Sequence, residues 1–235
     1  MLLSFDGDTS NNLKRVVCNF EDCLRTFVLL TLFAIVLATK VMAVPADRHA
    51  EARKMMAEVP KTNPVRLLVL IPRIHEALRD ALAQEPENVE VRLDLVRFHT
   101  VTPSILGGDV KEARTQAAEI ARRDPALGHF ARGYIAYREK EYGPARHAFR
   151  EARKLGNAPT RALAAKWLGW LSQETQQWDE AFAMFEELAD PYEIARTAEF
   201  CGCRLEQGRA ALREHLRRNP NDQNARKLAK KFGVR

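Results

Sequence analysis

Residues 126–156, ALGHFARGYIAYREKEYGPARHAFREARKLG, carry the clearest helical pattern in the chain. The second half of this stretch places Ala145, Phe149 and Ala152 four and then three residues apart, and this spacing puts them on one face of a helix. The small residue Gly133 lies in the first half. The pattern predicts two consecutive helices joined by a short turn.

Four pairs of an acidic or Asn residue followed by Pro interrupt the helical periodicity that begins at Asp47. Because Pro lacks the amide N–H and restricts the residue before it, each pair predicts the end of one helix and the start of the next. The four are Glu85-Pro86, Asp124-Pro125, Asp190-Pro191 and Asn219-Pro220. The segments between these stops are predicted to be pairs of helices.

The same pattern recurs on both sides of residues 126–156. Ala181 follows Ala145 by 36 residues, and Ala113 precedes it by 32. The matching positions in the two flanking units are Leu168, Gly169, Trp178, Ala181, Phe185 and Leu188 on one side and Gly108, Ala113, Ala117 and Ile120 on the other. These three units resemble the tetratricopeptide repeat, a helix-turn-helix unit of 34 residues. Residues 98–130 also resemble an exported bacterial subgroup of such proteins.

The resemblance implies an all-α fold, a right-handed α-solenoid of stacked antiparallel helix pairs with one continuous apolar core. It divides the chain into an N-terminal helix and linker at 44–63, helical repeats at 64–222 and a capping helix at 223–235. In this family the first helices of successive pairs line a concave groove that holds a ligand peptide. The expected function is therefore that of a non-catalytic adaptor or scaffold for protein–protein interaction.

Carried over position by position, the resemblance implies a groove that mixes aromatic faces with cationic tips. Its residues would be Leu95, Phe98, His99, Phe130, Tyr134, Tyr137, Arg138, Lys166, Trp167, Trp170 and Gln173. Such a surface favours a protein or peptide partner with acidic and apolar groups. Core packing is the alternative for the aromatic residues, since the three- and four-residue steps between Phe130, Tyr134 and Tyr137 also mark a buried helix face.

Catalytic motifs find little support in the sequence. No two of the six His residues lie four apart, the step that places paired metal ligands on one helix face. The chain has neither a G-x-S-x-G elbow nor a G-x-x-x-x-G-K phosphate loop. Gly107-Gly108-Asp109 is predicted to be a turn followed by a helix start. We therefore expect no enzyme activity, cofactor, metal or small-molecule substrate.

Cys201-Gly202-Cys203 offers one alternative to a non-catalytic role, namely redox chemistry at the two thiols. Two thiols one residue apart close only a small, strained ring, and strained disulfides are typically labile or catalytic. Structural explanations are a turn at Gly202 and ordinary burial of small Cys side chains.

Composition and charge exclude several classes of protein. With 46% hydrophobic and 29% charged residues, the chain is not disordered, collagen-like or a polytopic membrane protein. Four Cys are too few for a disulfide scaffold. The formal charge of +6 leaves an alternative function, binding of a polyanion such as anionic lipid or nucleic acid. Nucleic acid is the less expected of the two if the protein is exported.

The N-terminus predicts export. Fourteen uncharged residues at 26–39 lie between Arg25 and Lys40 and precede Val41-Met42-Ala43, the pattern of a signal peptide cleaved after residue 43. A helix of that length reaches about 21 Å, which is short of the roughly 30 Å hydrocarbon layer. The expected location is the periplasm. The alternative is an uncleaved membrane anchor through residues 26–45, the one case in which membrane contact is expected.

Overall fold

The computed structural model describes residues 47–234, and 82% of them are helical. Within this range there is no β-strand. The α-helices are α1 (Arg48–Glu58), α2 (Pro64–Gln84), α3 (Val89–Val101), α4 (Val110–Arg123), α5 (Pro125–Arg138), α6 (Tyr142–Leu155), α7 (Ala158–Glu174), α8 (Trp178–Glu187), α9 (Pro191–Cys201), α10 (Leu205–Arg218) and α11 (Gln223–Phe232). Short 3₁₀ segments cover Val59–Lys61 and Ser104–Leu106. The predicted leader at 1–43 and the alternative anchor at 26–45 lie outside the described residues.

Consecutive helices pack as pairs. The pairs are α1 with α2, α3 with α4, α5 with α6, α7 with α8, and α9 with α10, and α11 packs against α10. The first helices of neighbouring pairs also touch, because α3 contacts α5 and α5 contacts α7. The predicted all-α class and the stacking of helix pairs are thus confirmed for residues 47–234.

The four predicted stops act in two ways. The carboxylate of Asp124 accepts a hydrogen bond from a backbone N–H in the first turn of α5, and Pro125 is the first residue of that helix. Asp190 caps α9 in the same manner. Glu85 and Asn219 instead end α2 and α10. All four therefore mark helix boundaries, as the sequence predicts.

The small and large positions of the repeat pattern form the contacts inside each pair. Ala145, Phe149 and Ala152 of α6 are completely buried, as are Ala181 and Phe185 of α8. Both helices therefore turn the predicted face towards their partner helix. The adjacent side of each helix carries the charged side chains that meet between pairs, such as Arg146 of α6 and Glu180 of α8.

The apolar core is divided into three clusters in chain order rather than forming one uninterrupted spine. The first lies among α1, α2 and α3, the second spans α3 to α8, and the third joins α8 to α11. Helix α3 gives Leu95 to the first cluster and Val96 to the second, and α8 gives Met184 to the second and Phe182 to the third. These two helices therefore link the clusters, as expected when each pair contacts only its neighbours.

Ion pairs connect the second helices of successive pairs. Arg146 and Arg153 of α6 pair with Glu180 and Glu187, each 34 residues further along the chain. Arg150 also reaches Glu180, at 2.5 Å. Partly exposed pairs of this kind contribute little singly, so their main effect is to fix the register of α6 against α8.

Candidate functional site

Three successive first helices, α5, α7 and α9, line an open cavity of about 490 Å³. We call it the groove pocket. Its lining residues are Tyr137, Arg138, Trp167, Trp170, Gln173, Glu174, Gln176, Trp178, Arg196 and Phe200. The three Trp residues of the chain therefore all face the same cavity.

Trp167 is the centre of the aromatic wall. Its ring centroid lies 4.9 Å from that of Tyr134, 5.4 Å from Tyr137 and 5.1 Å from Trp170, each pair being edge-on. Edge-to-face contacts suit the opposite charges of ring edge and ring face. Phe130 continues this packing inwards at 6.4 Å from Trp167. The wall is thus a rigid apolar surface backed by the core.

A tyrosine–carboxylate cluster forms the next part of the wall. The Tyr142 hydroxyl donates a 2.5 Å hydrogen bond to Glu174. Hydrogen bonds from Tyr137 and Tyr142 lower the pKa of Glu174. Burial, and then the hydrogen bond to Glu174, raises the pKa of Tyr137. At neutral pH Glu174 therefore remains an anion held by two protonated tyrosines.

Two cations at the pocket are free to meet an acidic partner. The Lys166 Nζ lies 5.2 Å from the ring centroid of Trp170. Among residues 47–234, neither Lys166 nor Arg138 takes part in an ion pair. Arg196 differs, since it pairs with Glu193 at 2.9 Å and also lies 5.2 Å from the ring centroid of Phe200.

The Trp170 indole contributes an unsatisfied donor. Its Nε1 is buried and has no hydrogen-bond acceptor among the described residues. A buried donor without a partner costs about 1–3 kcal/mol. A carbonyl or carboxylate oxygen on a bound segment would remove that cost if it reached Nε1.

The pocket gathers five of the residues that the sequence predicts for the groove, and a sixth lies beside it. The five are Tyr137, Arg138, Trp167, Trp170 and Gln173, and Lys166 is the sixth. Gln173 is buried and donates to Thr197 Oγ1 at 2.8 Å, so it joins α7 to α9. Its role in the pocket is to position the wall.

The structure places the other predicted groove residues in the core. Phe130 is completely buried and packs on Phe149 of α6, with ring centroids 5.6 Å apart. Tyr134 is 5% exposed. These two residues lie behind Trp167 rather than on the cavity surface, so core packing, the alternative explanation, applies to them.

Leu95, Phe98 and His99 are likewise buried, with 3%, 4% and 5% of their surface exposed. Phe98 stacks on His75 of α2 at 4.8 Å between ring centroids. The three side chains therefore belong to the contact between the first two helix pairs and do not extend the groove.

Five lining residues of the pocket fall outside the predicted set, although they complete it: Glu174, Gln176, Trp178, Arg196 and Phe200. Phe200 is 50% exposed, which is unusual for so large an apolar side chain. Arg196 and Phe200 lie four residues apart and so share one helix face, which is the one signal the sequence offers.

A second cavity, of about 570 Å³, lies among α2, α3 and α4 and is lined by His75 and His99. Their rings meet edge-on at 5.0 Å between centroids. Burial lowers the pKa of both imidazoles. No group of three His, Cys, Asp or Glu side chains that could hold a metal ion occurs within residues 47–234.

Cys201 and Cys203 are joined by a disulfide. Cys201 is the last residue of α9, and Gly202, with φ +65°, ends that helix in the left-handed conformation. Both sulfurs lie against the third core cluster. The predicted turn at Gly202 is thus confirmed.

No family model matches the chain, and a search among curated proteins finds no similar sequence. Across residues 47–234, no helix combines the length and the apolar character that crossing a bilayer requires.

Proposed function

We propose that this protein is a non-catalytic adaptor that holds a segment of a partner protein in the groove pocket. The observation that carries the proposal is a single cavity shared by the first helices of three successive pairs, α5, α7 and α9. Helical repeats use such surfaces, built across several units, to bind extended chains. The proposal includes membership of the tetratricopeptide type and a right-handed twist of the stacked pairs.

The chemistry of the wall defines the partner segment. Trp167, Trp170 and Phe200 offer apolar surface to an anchor side chain, and large aromatic anchors dominate the energy of many interfaces. Arg138 and Lys166 are in no ion pair among the described residues, so an acidic group on the segment would find two cations to pair with. The segment therefore carries at least one apolar anchor next to a carboxylate.

We propose the cellular location from the sequence alone. The signal pattern at residues 1–43 supports export to the periplasm, where the partner would be another envelope protein. N-terminal analysis of the protein from its native host tests this, because cleavage after Ala43 leaves Val44 as the first residue. A retained residue 1 would contradict cleavage.

Co-purification from the native host tests the adaptor proposal. We expect Arg138→Glu combined with Lys166→Glu, and separately Trp170→Ala, to weaken recovery of the partner by about tenfold or more. Matched controls lie on the second helix α6, where Lys154→Glu reverses an exposed charge and Leu155→Ala truncates a side chain that is 54% exposed. Unchanged recovery with the groove variants would show that the partner does not bind in the groove pocket.

A salt titration separates this proposal from polyanion binding by the basic surface. Many arginines of the described range are already paired, for example Arg123 with Glu87 and Glu119. Polyanion binding is steeply salt-dependent and would be lost by about 0.2 M salt. It would also respond to Lys154→Glu as strongly as to Arg138→Glu, whereas groove binding would not.

A further inference from the structure

The first half of α2 presents an apolar stripe to solvent. Val65, Leu68 and Val69 are 75%, 58% and 64% exposed, and with Pro72 they follow the spacing of one helix face. Ile105, which is 90% exposed, borders the same surface hollow as Pro72. We call these five residues the α2 stripe.

The stripe is exposed because α2 is longer than its partner. Helix α2 has 21 residues and α1 has 11. No residue of α2 before Ile74 is buried, and the core contacts of Ala77, Leu78 and Ala81 all lie in its second half. The stripe therefore contributes nothing to the core, and its apolar surface stays in water unless something covers it.

Three unpaired cations lie near the stripe. Residues 59–75 contain Lys61, Arg66 and Arg73 and no Asp or Glu. None of the three takes part in an ion pair within residues 47–234. At the other end of the same helix pair the cation is neutralised, because Arg48 is paired with the two carboxylates of Glu51 and Asp80. Glu58 borders the same hollow as Val65 and Val69, and Glu76 and Asp80 border the hollow at Pro72 and Ile105, Asp80 being paired with Arg48. Around the first half of α2 the three cations therefore outnumber the one carboxylate, and the surface there is locally basic.

Charge complementarity indicates which kind of partner covers the α2 stripe. A second copy bound through the same face would bring these cations against their own equivalents, since a two-fold interface is self-complementary. The apolar run at 26–39 has no acidic residue and is flanked by Arg25 and Lys40, so it would not neutralise them either. An anionic bilayer offers both apolar depth and negative headgroups, and Arg and Lys stems can extend to those headgroups.

We propose that the α2 stripe docks the protein on the surface of an anionic lipid bilayer. The helix lies in the interface with its apolar side chains at the boundary between headgroups and acyl chains, and it does not span the membrane. This role is independent of the groove pocket, which lies on α5, α7 and α9. It would place the bound partner segment close to a membrane.

Hydrogen exchange of the full chain, measured by mass spectrometry with vesicles, tests the proposal. A local readout is needed because the apolar run at 26–39 could bind vesicles on its own. Vesicles of equal parts phosphatidylglycerol and phosphatidylcholine should slow amide exchange in residues 64–73 several-fold, whereas pure phosphatidylcholine should not. Exchange in α6 should stay unchanged in both cases.

Variants make the test specific. Leu68→Asp with Val69→Asp should abolish the slowing, whereas the control Leu155→Asp, at a residue 54% exposed on α6, should retain it. Arg66→Gln and Arg73→Gln should each weaken vesicle affinity about fivefold. Circular dichroism confirms that each variant keeps its helix content, and Arg138→Glu should leave the vesicle effect intact.

Three results would overturn the proposal. One is unchanged exchange at 64–73 with the anionic vesicles. Another is protection without lipid that rises with protein concentration, which indicates a second copy of the chain. The last is protection without lipid that is independent of concentration, which indicates that the chain covers its own stripe.

Discussion

Gly169 of α7 lies directly against the ring of Phe185 of α8, so that a Cβ at position 169 would be 2.6 Å from the Phe185 Cζ. Gly133 of α5 has the same relation to Phe149 of α6, with a closest approach of 2.8 Å. Both phenylalanines are completely buried and have no room to retreat. The close approach of the helices within a pair therefore depends on a glycine facing an aromatic ring.

Gly169→Ala should lower the free energy of unfolding by about 1–3 kcal/mol, because the added methyl group overpacks the contact with Phe185. Gly143→Ala is the matched control. A Cβ at Gly143 meets nothing within 4 Å, so this variant should be neutral or stabilising by up to about 1 kcal/mol. Urea denaturation measures both. Equal effects of the two substitutions would show that the close contact does not limit the packing.

Phe130→Ala and Trp170→Ala should distinguish a residue that stabilises the core from a residue that binds the partner. Phe130 is completely buried, so its truncation should cost about 3–5 kcal/mol of stability while the remaining folded protein binds the partner normally. Trp170 is half-buried in the pocket, and its loss should weaken binding more than folding. Denaturation curves and binding measured per folded molecule distinguish the two. Loss of binding by folded Phe130→Ala protein would show that Phe130 contributes to the partner-binding groove.

The second helices could be predicted well from the sequence, and the first helices less well. In α6 four residues are buried, all on one face, so the spacing of Ala145, Phe149 and Ala152 shows directly which side packs. In α5 nine of fourteen residues are buried. A first helix contacts its own partner and both neighbouring pairs, so apolar residues surround it and the periodicity no longer shows which side faces the groove.

The contribution of α9 to the pocket had even less support in the sequence. Arg196 and Phe200 reach the cavity because Gln173 of α7 hydrogen-bonds Thr197 and so positions α9. That contact joins residues 24 apart in the chain, and no local spacing predicts it. The cavity is a product of packing between pairs, whereas the repeat pattern describes packing within them.

Asp94→Asn should destabilise the contact between α1 and α3. Asp94 is 3% exposed and accepts hydrogen bonds from His49, Arg53 and Arg97 at 2.9–3.0 Å. Burial by itself would raise the pKa of Asp94, but the hydrogen bonds and the charge of Arg97 outweigh it and lower the pKa. Loss of this charge at neutral pH should cost about 1.5–3 kcal/mol.

The effect of Asp94→Asn should depend on pH in a defined direction. Since the pKa is lower in the folded state, the stabilisation is complete above the unfolded value of about 3.9 and is lost as pH falls through the folded value. Urea denaturation at neutral pH and at about pH 3 should therefore show the difference between wild type and variant shrinking on acidification. A difference that stays constant would mean that the charge of Asp94 is not what stabilises the contact.

His75 and His99 should make the contact between α2 and α3 sensitive to mild acid. Burial, then the neighbouring His99 and Arg79, lowers the pKa of His75. Burial also lowers the pKa of His99, although Glu112 opposes it. The unfolded chain therefore takes up more protons below about pH 6.5, and stability should fall as pH drops through that value.

The double variant His75→Gln and His99→Gln isolates this contribution. The free energy of unfolding should fall less steeply between about pH 7.5 and about pH 5 in the variant than in the wild type. The other titrating groups are common to both proteins, so their effects cancel in the comparison. Identical slopes would show that these two imidazoles titrate alike in the folded and unfolded chains.

Tryptophan fluorescence during titration with the co-purified partner shows whether the partner segment enters the groove pocket. Trp167, Trp170 and Trp178 are the chain's three tryptophans and all line the groove pocket, so a segment entering it excludes water from them. We expect a saturable shift in emission, with affinity reduced about tenfold or more by Arg138→Glu combined with Lys166→Glu and kept by Lys154→Glu. A partner that binds both variants equally and leaves the emission unchanged would contradict binding in the groove pocket.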